Sequence, residues 1–221
     1  MAYGVLFDLD GTLVDTNYRH VVAWAEAFRR HGYDVKMSRL HALIGQGSDV
    51  LVESVIGRRD ERISDAHTDF YAKWLQEVPV FGGAAALLRR CKQEGFTVVL
   101  ATSASRHEAD HLRAALGADD AVDRLLTKDD VDSPKPSPDI VETALREVGL
   151  RPADCVFVGD SVWDVQAAGR AGVPCLCVLS GGICAADLMA AGAVGVYADV
   201  DALGRDFAAS ALGELASRAR G

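Results

Sequence analysis

The chain has 221 residues, of which 49% are hydrophobic and 25% charged, and its formal net charge is −9. This composition is typical of a globular protein with a sizeable buried interior and excludes extended disorder. The acidic balance and the lack of any Lys/Arg run argue against nucleic acid or an anionic membrane as partner, because both require a basic surface.

The N-terminal region has no basic segment followed by an apolar stretch, and no window approaches the ~20 apolar residues of a membrane-spanning helix. We therefore expect a cytoplasmic protein. The five cysteines are odd in number and lie mostly in apolar stretches, which favours buried, reduced thiols over a disulfide framework. Cys175 and Cys177 share one face of a predicted strand, where packing is favoured and a metal or redox role stays open.

The first predicted element is a short buried strand, Gly4–Phe7, followed at once by Asp8-Leu9-Asp10-Gly11-Thr12. Two aspartates in this spacing can serve different roles at one site if the second lies where the strand breaks into a turn, and Gly11, directly after Asp10, supplies such a break. Alone, an Asp-Gly pair in a loop is equally typical of an ordinary turn. Motifs elsewhere in the chain are therefore needed to distinguish an ordinary turn from a functional site.

Residues 15–80 contain no convincing β-rich run and instead predict helices separated by glycine-containing turns. The predicted helices are one carrying Val21, Trp24, Ala25 and Phe28 at helical spacing, then Ser38–Ile44, Asp49–Ile56 and Ser64–Gln76. The simplest organisation is a helical domain of residues 15–80 inserted into a core formed by residues 1–14 and 81–221.

Two features of this helical region are candidates for ligand contact. His20 lies in its first helix, one turn before Trp24, where an ordinary boundary histidine is the default interpretation. The loop Gly45-Gln46-Gly47-Ser48 lacks the third glycine and the preceding strand of a dinucleotide-binding motif. Its small residues would let the backbone approach a ligand closely, so a substrate-facing loop is the better interpretation.

From residue 96 onward, short apolar runs alternate with helical stretches. The predicted strands are Phe96–Ala101, Arg124–Leu126, Cys155–Val158, Val173–Leu179 and Val194–Tyr197. The predicted helices are Gly82–Glu94, one from a capping box at Ser105 to Leu116, and one opened by Ser137-Pro138 and ended by Gly149. This alternation predicts an α/β fold with a Rossmann-like parallel sheet that helices cover on both faces.

Polar residues follow the predicted strands at their carboxyl ends, where open parallel sheets bind ligands. They are Asp8 and Asp10, then Thr102 and Ser103, then Lys135 between Pro134 and Pro136, and finally Asp160 with Asp164 one turn further on. Clustered carboxylates repel one another unless a cation is present, and oxygen ligands suit Mg²⁺, which accepts phosphate oxygens as well. Phosphoryl transfer is the reaction class that uses such a set.

The segments DLDGT, LATS, SPKPSPD and VGDSVWD occur here in the order and spacing of the haloacid dehalogenase superfamily, which the chain resembles over essentially its whole length. The helical insert resembles the C1 cap of that superfamily. The resemblance implies that Asp8 is the nucleophile and Asp10 the general acid/base. It also implies that Asp8, the Asp10 backbone carbonyl and Asp160 bind Mg²⁺.

The same resemblance implies that Thr102 binds phosphate, that Lys135 steadies phosphate and nucleophile, and that Asp164 holds a metal-bound water or the lysine. Asp164 has a rival role as the N3 residue of a capping box with Ser161, and the residues alone do not rank Thr102 against Ser103 as phosphate donors. The predicted contacts to a small phosphorylated substrate are Gly11, Thr12, His20, Gly47 and Ser103.

The family that the chain resembles includes dehalogenases, phosphonate hydrolases, phosphosugar mutases and phosphatases. Dehalogenases and phosphonate hydrolases lack the second aspartate, so Asp10 speaks against both. A β-phosphoglucomutase-like mutase would match the segment from Asp15 to His20, but the loop from Ile44 to Asp49 has no arginine for a second phosphate. We therefore expect a Mg²⁺-dependent phosphatase that acts on a small phosphorylated metabolite and broadly resembles the phosphoglycolate phosphatases. A catalytically silent binding protein is the alternative from another class.

Overall fold

This computed structural model describes residues 2–220 and contains one sheet of six parallel strands. The strands are β1 (Gly4–Phe7), β2 (Thr97–Ala101), β3 (Arg124–Leu126), β4 (Cys155–Gly159), β5 (Cys175–Val178) and β6 (Gly195–Tyr197). Their order across the sheet is β3-β2-β1-β4-β5-β6. The strand order reverses at β1, so the predicted α/β class with a Rossmann-like parallel sheet is confirmed.

The register aligns the carboxyl ends of the central strands. Phe7, the last residue of β1, pairs with Leu100 of β2 and with Val158 of β4. The backbone N–H of Asp8 continues this pattern by donating to the carbonyl of Val158 at 2.9 Å. The residues that follow these three strands therefore arrive at one edge of the sheet.

Helices cover both faces of the sheet. Those of the described residues are α1 (Asn17–Arg30), α2 (Met37–His41), α3 (Ser48–Ile56), α4 (Glu61–Tyr71), α5 (Ala84–Gln93), α6 (Arg106–Leu116), α7 (Asp139–Val148), α8 (Val162–Arg170), α9 (Ala185–Ala191), α10 (Val200–Arg205) and α11 (Ala211–Arg220). Within this range no helix has the length and apolarity needed to cross a bilayer. Apolar side chains of α5, α6, α10 and α11 pack on one face, and those of α7, α8 and α9 on the other.

Strand alternation explains the two apolar layers. Val5 and Phe7 of β1 belong to the layer beneath α5 and α6, whereas Leu6 belongs to the layer beneath α7 and α8. All three side chains are fully buried because both faces are covered. Cys175 and Cys177, whose sulfur atoms lie 3.9 Å apart, pack in the second of these layers. All five cysteines are free thiols, and only Cys184 is exposed.

The apolar side chains of helices α1 to α4 form a third cluster, separate from the two apolar layers that cover the sheet. Trp24 and Phe28 of α1 pack there with Leu40, Leu51 and Ile63 from the other three helices. This helical segment follows β1 and returns to the sheet through α5. Its first and last parts meet where the backbone N–H of Asp15 donates to the carbonyl of Pro79.

Several boundaries differ from those predicted. Phe96 lies outside β2 because its N–H donates to the carbonyl of Cys91 and closes α5 instead. The helix predicted to end at Ile44 ends at His41, and Pro138 precedes α7 instead of opening it. The helix predicted over 64–76 begins at Glu61 and gives way to a 3₁₀ turn after Tyr71.

Candidate active site

Lys135 is the centre of a buried charge cluster at the carboxyl edge of the sheet. Its ammonium nitrogen donates to Oδ1 of Asp8 at 2.7 Å and to Oδ1 of Asp164 at 2.8 Å. A third bond, of 3.0 Å, goes to the carbonyl of Ala101 at the end of β2. Only 1% of the lysine is exposed. Burial disfavours the charged amine, but Asp164 and Asp8 overcome this and raise its pKa.

Asp164 fulfils both of the roles that the sequence left open. Its Oδ2 accepts hydrogen bonds from the backbone N–H and the hydroxyl of Ser161, which completes the capping box at the start of α8. Its Oδ1 faces the other way and holds Lys135. One carboxylate thus anchors a helix start with one oxygen and orients the lysine with the other.

Asp160 lies beside these residues and is fixed by side chains from the segment after β1. Thr12 donates its hydroxyl to Oδ1 at 3.1 Å, and the side-chain amide of Asn17 donates to Oδ2 at 2.9 Å. Thr12 is fully buried and is thereby committed to Asp160. Gly11 has a φ of 77°, and a side chain there would also overlap Asn17 and Asp160. Gly11 and Thr12 therefore contact the side chains that hold the acidic cluster together.

The carboxylates of Asp8, Asp160 and Asp164 each have an oxygen within 4.8 Å of the others. Burial raises the pKa of Asp8 to about 7 although Lys135 opposes this, and the charges of Asp164 and Asp10 add to the rise. Burial, with Asp164 and Asp8, also raises the pKa of Asp160 well above its usual range. One lysine does not neutralise three carboxylates, so this all-oxygen donor set fits a hard divalent cation such as Mg²⁺.

Asp10 lies two residues after Asp8 but faces a different set of partners. It accepts a hydrogen bond from the hydroxyl of Thr16, and its Oδ1 lies 3.2 Å from Nε2 of His20. Burial acts to raise the pKa of Asp10, but the hydrogen bond and charge of His20 prevail and lower it. The two aspartates of the first motif therefore have opposite pKa shifts, because Asp8 and Asp10 face different partners.

A cleft opens beside Asp8 and Asp10, between the sheet edge and the helical segment. Thr102 and Ser103 line it from the end of β2, and His20 lines it from α1. The hydroxyl of Thr102 lies 3.4 Å from Oδ2 of Asp10, whereas that of Ser103 donates to the carbonyl of Gly45 at 3.0 Å. Ser103 thus joins the two parts of the molecule across the cleft.

Gly47 lies away from the cleft, in contrast to its neighbours in the loop after α2. Gly45, Gln46 and Ser48 line the cleft, but the α-carbon of Gly47 packs against Pro134, where a side chain would overlap the ring. The glycine is needed for close approach of the helical segment to the loop that carries the buried lysine. The ligand contact predicted for it is thus a contact with protein.

The chain is similar to known proteins in both sequence and fold. The family described as haloacid dehalogenase-like hydrolase matches residues 4–172. Validoxylamine A 7'-phosphate phosphatase of Streptomyces hygroscopicus subsp. limoneus is 32% identical over 177 residues, which are 77% of this chain and 83% of that protein. Phosphoglycolate phosphatase of Yersinia pestis is 33% identical over 183 residues, 78% of this chain and 79% of that protein.

The chain belongs to the haloacid dehalogenase-like hydrolases. A hydrolase of known structure from Pseudomonas syringae has the same fold, with a TM-score of 0.87 at 32% identity, covering 93% of this chain and 97% of that one. Together with the phosphatases among its relatives, this makes the chain a phosphoric monoester hydrolase.

In the present chain, the structure brings two further residues to the cleft that the sequence did not indicate as ligand contacts. Glu108, noted only as part of a capping box, has its Oε1 3.3 Å from Nε2 of His20. His67 of α4 has its Nε2 3.1 Å from Nδ1 of His20. Burial raises the pKa of Glu108 to about 7 although His20 opposes this, and burial lowers the pKa of His67. The capping box of Glu108 indicates only a helix start and His67 lies in no recognised motif, so no local signal marks either residue as part of the cleft.

Proposed function

We propose that this hydrolase is a Mg²⁺-dependent phosphatase that cleaves a small phosphorylated metabolite through an aspartyl-phosphate on Asp8. The observation that carries the proposal is the pairing of Asp8 with Lys135 at 2.7 Å, next to an Asp10 that is held by His20. One carboxylate is thus oriented by a cation, and the other is oriented by a histidine. A nucleophile and a proton donor two residues apart require this separation of environments.

Asp8, Asp160 and the backbone carbonyl of Asp10 would hold the Mg²⁺ ion, with Asp164 close enough to bind a water of its shell. When bound, the ion neutralises phosphate oxygens and favours the ionised form of Asp8. Asn17 and Thr12 keep the carboxylate of Asp160 in place through the hydrogen bonds described above.

In the first step, the carboxylate of Asp8 attacks phosphorus, and the bond from phosphorus to the leaving oxygen breaks. The hydrogen-bonded pair of His20 and Asp10 holds a proton, since Asp10 overcomes the effect of burial and raises the pKa of His20. Asp10 passes this proton to the leaving oxygen, so that a neutral alcohol leaves. Lys135 carries positive charge beside the attacking carboxylate, and Thr102 lines the cleft with Asp8, where its hydroxyl would donate to a phosphate oxygen.

In the second step, Asp10 removes a proton from a water whose oxygen attacks phosphorus. The bond between phosphorus and Asp8 breaks, inorganic phosphate leaves, and both aspartates return to their initial state. The proton that Asp10 gave to the alcohol is thereby replaced by the proton from water. His20 keeps the carboxylate of Asp10 aimed at the cleft through both steps.

Residues 15–80 would act as a cap that excludes bulk water during these steps. Two hydrogen bonds between this segment and the sheet domain support the proposal. They run from Ser103 to the carbonyl of Gly45, at 3.0 Å, and from Nε2 of His41 to the carbonyl of Gly181, at 2.8 Å. Each is a single hydrogen bond that can break and form again, which suits a cap that opens for each substrate.

The proposal is tested with Asp8→Asn, assayed for Mg²⁺-dependent release of phosphate from 4-nitrophenyl phosphate. We expect the release to fall to the level without enzyme, because an amide cannot attack phosphorus. Asp187→Asn, on the exposed side of α9, is the matched control and should retain wild-type activity. Substantial activity in Asp8→Asn would contradict the proposed nucleophile.

The same assay, extended to sugar phosphates, separates the phosphatase from the mutase and from a silent binding protein. A mutase would convert a sugar phosphate into its isomer with little release of phosphate. A silent binding protein would do neither. We expect release of phosphate because none of the described residues that line the cleft is an arginine able to hold a second phosphate.

A further inference from the structure

We infer that the leaving group of the substrate is a neutral polyol, and that Glu108 and Gln46 accept hydrogen bonds from its hydroxyl groups. The inference concerns the part of the cleft beyond the phosphate and rests on the proposed phosphatase function. It excludes, as preferred substrates, phosphate esters whose alcohol carries a carboxylate or a second phosphate.

The leaving group has to lie next to Asp10, since Asp10 protonates its oxygen. Glu108 lies at that position, because its carboxylate, the carboxylate of Asp10 and the imidazole of His20 each have an atom within 4.8 Å of the others. Gln46 lines the same cleft from the loop after α2. The two residues therefore face the leaving group from the sheet domain and from the helical segment.

Oε1 of Glu108 and Oε1 of Gln46 are buried, and neither receives a hydrogen bond from any described residue. The nearby Nε2 of His20 does not satisfy Glu108, because its hydrogen bond goes to Asp10. Buried acceptors without a donor are costly and rare in folded proteins. Since solvent barely reaches these atoms, a ligand that is present when the two parts close together is the available source of donors.

Hydroxyl groups are donors that suit both oxygens at once. A carboxylate or a phosphate has only acceptor oxygens at neutral pH and would face two further acceptors. The repulsion between such a group and the carboxylates of Glu108 and Asp10 would weaken binding further. A polyol presents several hydroxyl groups without adding charge, so it fits the two walls of the cleft.

Lys128 is the lysine that could compensate a second anion here, because it lines the cleft as well. Its positive charge acts on Glu108, where it opposes the rise in pKa caused by burial. The negative charge of Glu108 therefore offsets part of the positive potential that this lysine adds to the cleft. Without the charge of Glu108, the positive charge of Lys128 would attract a substrate that carries a carboxylate. This expected change in substrate preference provides the test of the inference.

The experiment compares kcat/KM for sorbitol 6-phosphate, phosphoglycolate and fructose 1,6-bisphosphate in the presence of Mg²⁺, with 4-nitrophenyl phosphate as reference. We expect the wild-type enzyme to prefer sorbitol 6-phosphate over each of the other two metabolites by about tenfold or more. Because each comparison is a ratio of two substrates on one enzyme, a general loss of activity cancels.

Two cleft variants test the two residues separately. Glu108→Gln keeps an acceptor oxygen but removes the charge, so the ratio of phosphoglycolate to sorbitol 6-phosphate should rise about tenfold. Gln46→Leu removes the acceptor, so the ratio of sorbitol 6-phosphate to 4-nitrophenyl phosphate should fall about tenfold. Glu214→Gln, on the exposed side of α11, is the matched control and should leave every ratio unchanged.

A wild-type preference for phosphoglycolate or for the bisphosphate would overturn the inference. Ratios that do not move in Glu108→Gln and Gln46→Leu would overturn it too. Both results leave the proposed function standing, because the enzyme would still hydrolyse 4-nitrophenyl phosphate. Absence of any Mg²⁺-dependent hydrolysis by the wild-type protein would instead overturn the proposed function and the inference together.

Discussion

The ammonium nitrogen of Lys135 lies 2.7 Å from Oδ1 of Asp8, and neither side chain has more than a few per cent of its surface exposed. The same 2.7 Å separates Lys92 from Asp123 at the surface, where about a third of each side chain is exposed. Equal distances at different burial allow the effect of desolvation on an ion pair to be isolated.

Lys135→Met should lower the free energy of unfolding by about 3–5 kcal/mol, because Asp8 and Asp164 lose their buried cation. Lys92→Met should cost at most about 1 kcal/mol, since water solvates Asp123 in its place. Urea unfolding of both variants in the presence of EDTA measures the difference. Equal losses in the two variants would contradict the role given to burial.

Metal removal should make stability depend on pH in a definite direction. The pKa of Asp8 is raised to about 7 and that of Asp160 is raised as well, chiefly by burial. A raised carboxyl pKa contributes stability that is complete below the unfolded value of ~4 and is lost as pH rises through the folded value. In EDTA, the Tm should therefore fall between pH 5 and pH 8.

Mg²⁺ should raise the Tm more at pH 8 than at pH 5, because the ion binds the carboxylates only in their ionised form. Differential scanning fluorimetry with and without the ion measures this difference. A shift of the same size at every pH would mean that the ion binds elsewhere. At each pH, the Tm with Mg²⁺ is compared with the Tm without it at the same ionic strength, so that general screening of the negatively charged chain does not differ between the two samples.

Gly181→Ala should weaken Mg²⁺ binding, because a methyl group there would overlap Oδ2 of Asp160 and displace that carboxylate. We expect at least a tenfold rise in the Mg²⁺ concentration needed for half-maximal activity, the size of effect seen when residues supporting a metal ligand are changed, about 10–100-fold.

Gly204→Ala is the matched control for that substitution. An added methyl group meets nothing within 4 Å at Gly204, which lies in α10. It should leave the Mg²⁺ requirement unchanged and stabilise the protein by about 0.4–1 kcal/mol, because alanine loses less entropy in a helix. The same change in Mg²⁺ requirement for both variants would show that the overlap with Asp160 is not the cause.

Asp10→Asn should harm alkyl phosphates more than 4-nitrophenyl phosphate. An alkoxide needs a proton in order to leave, whereas a nitrophenolate leaves without one, and the amide of an asparagine is too weak an acid to supply it. General acid catalysis contributes about 10²–10⁴-fold, so kcat/KM for an alkyl phosphate should fall by at least a further factor of about 100. Equal losses for both esters would remove Asp10 from the role of proton donor to the leaving group.

The sheet was predictable because its signals are local. Continuous apolar runs bounded by turn residues identified all six strands, and β1 and β3 agree with their predicted limits. Errors lie at element ends, as at Phe96, where a hydrogen bond to Cys91 closes a helix. A pattern of burial shows that a strand exists, but the partner of each terminal N–H depends on neighbouring elements.

The acidic cluster was also within reach of the sequence. Asp8, Lys135, Asp160 and Asp164 each follow a predicted strand, and parallel register brings the ends of adjacent strands to one edge. Gly47 shows the limit of such reasoning, because its loop does line the cleft while the glycine itself packs on Pro134. Which side of a loop faces a ligand depends on how the two parts of the molecule meet.

The sequence by itself determined the order of strands and helices, the charged groups at the sheet edge, and the glycine that turns the chain after Asp10. These follow from burial patterns and backbone preferences that act over a few residues. Only the tertiary structure decided that Asp164 uses one oxygen for its helix and the other for Lys135. It alone decided that Glu108, whose nearest sequence signal is a helix start, lies against His20. Such contacts join residues distant in the sequence, and their geometry is set by the packing of whole elements.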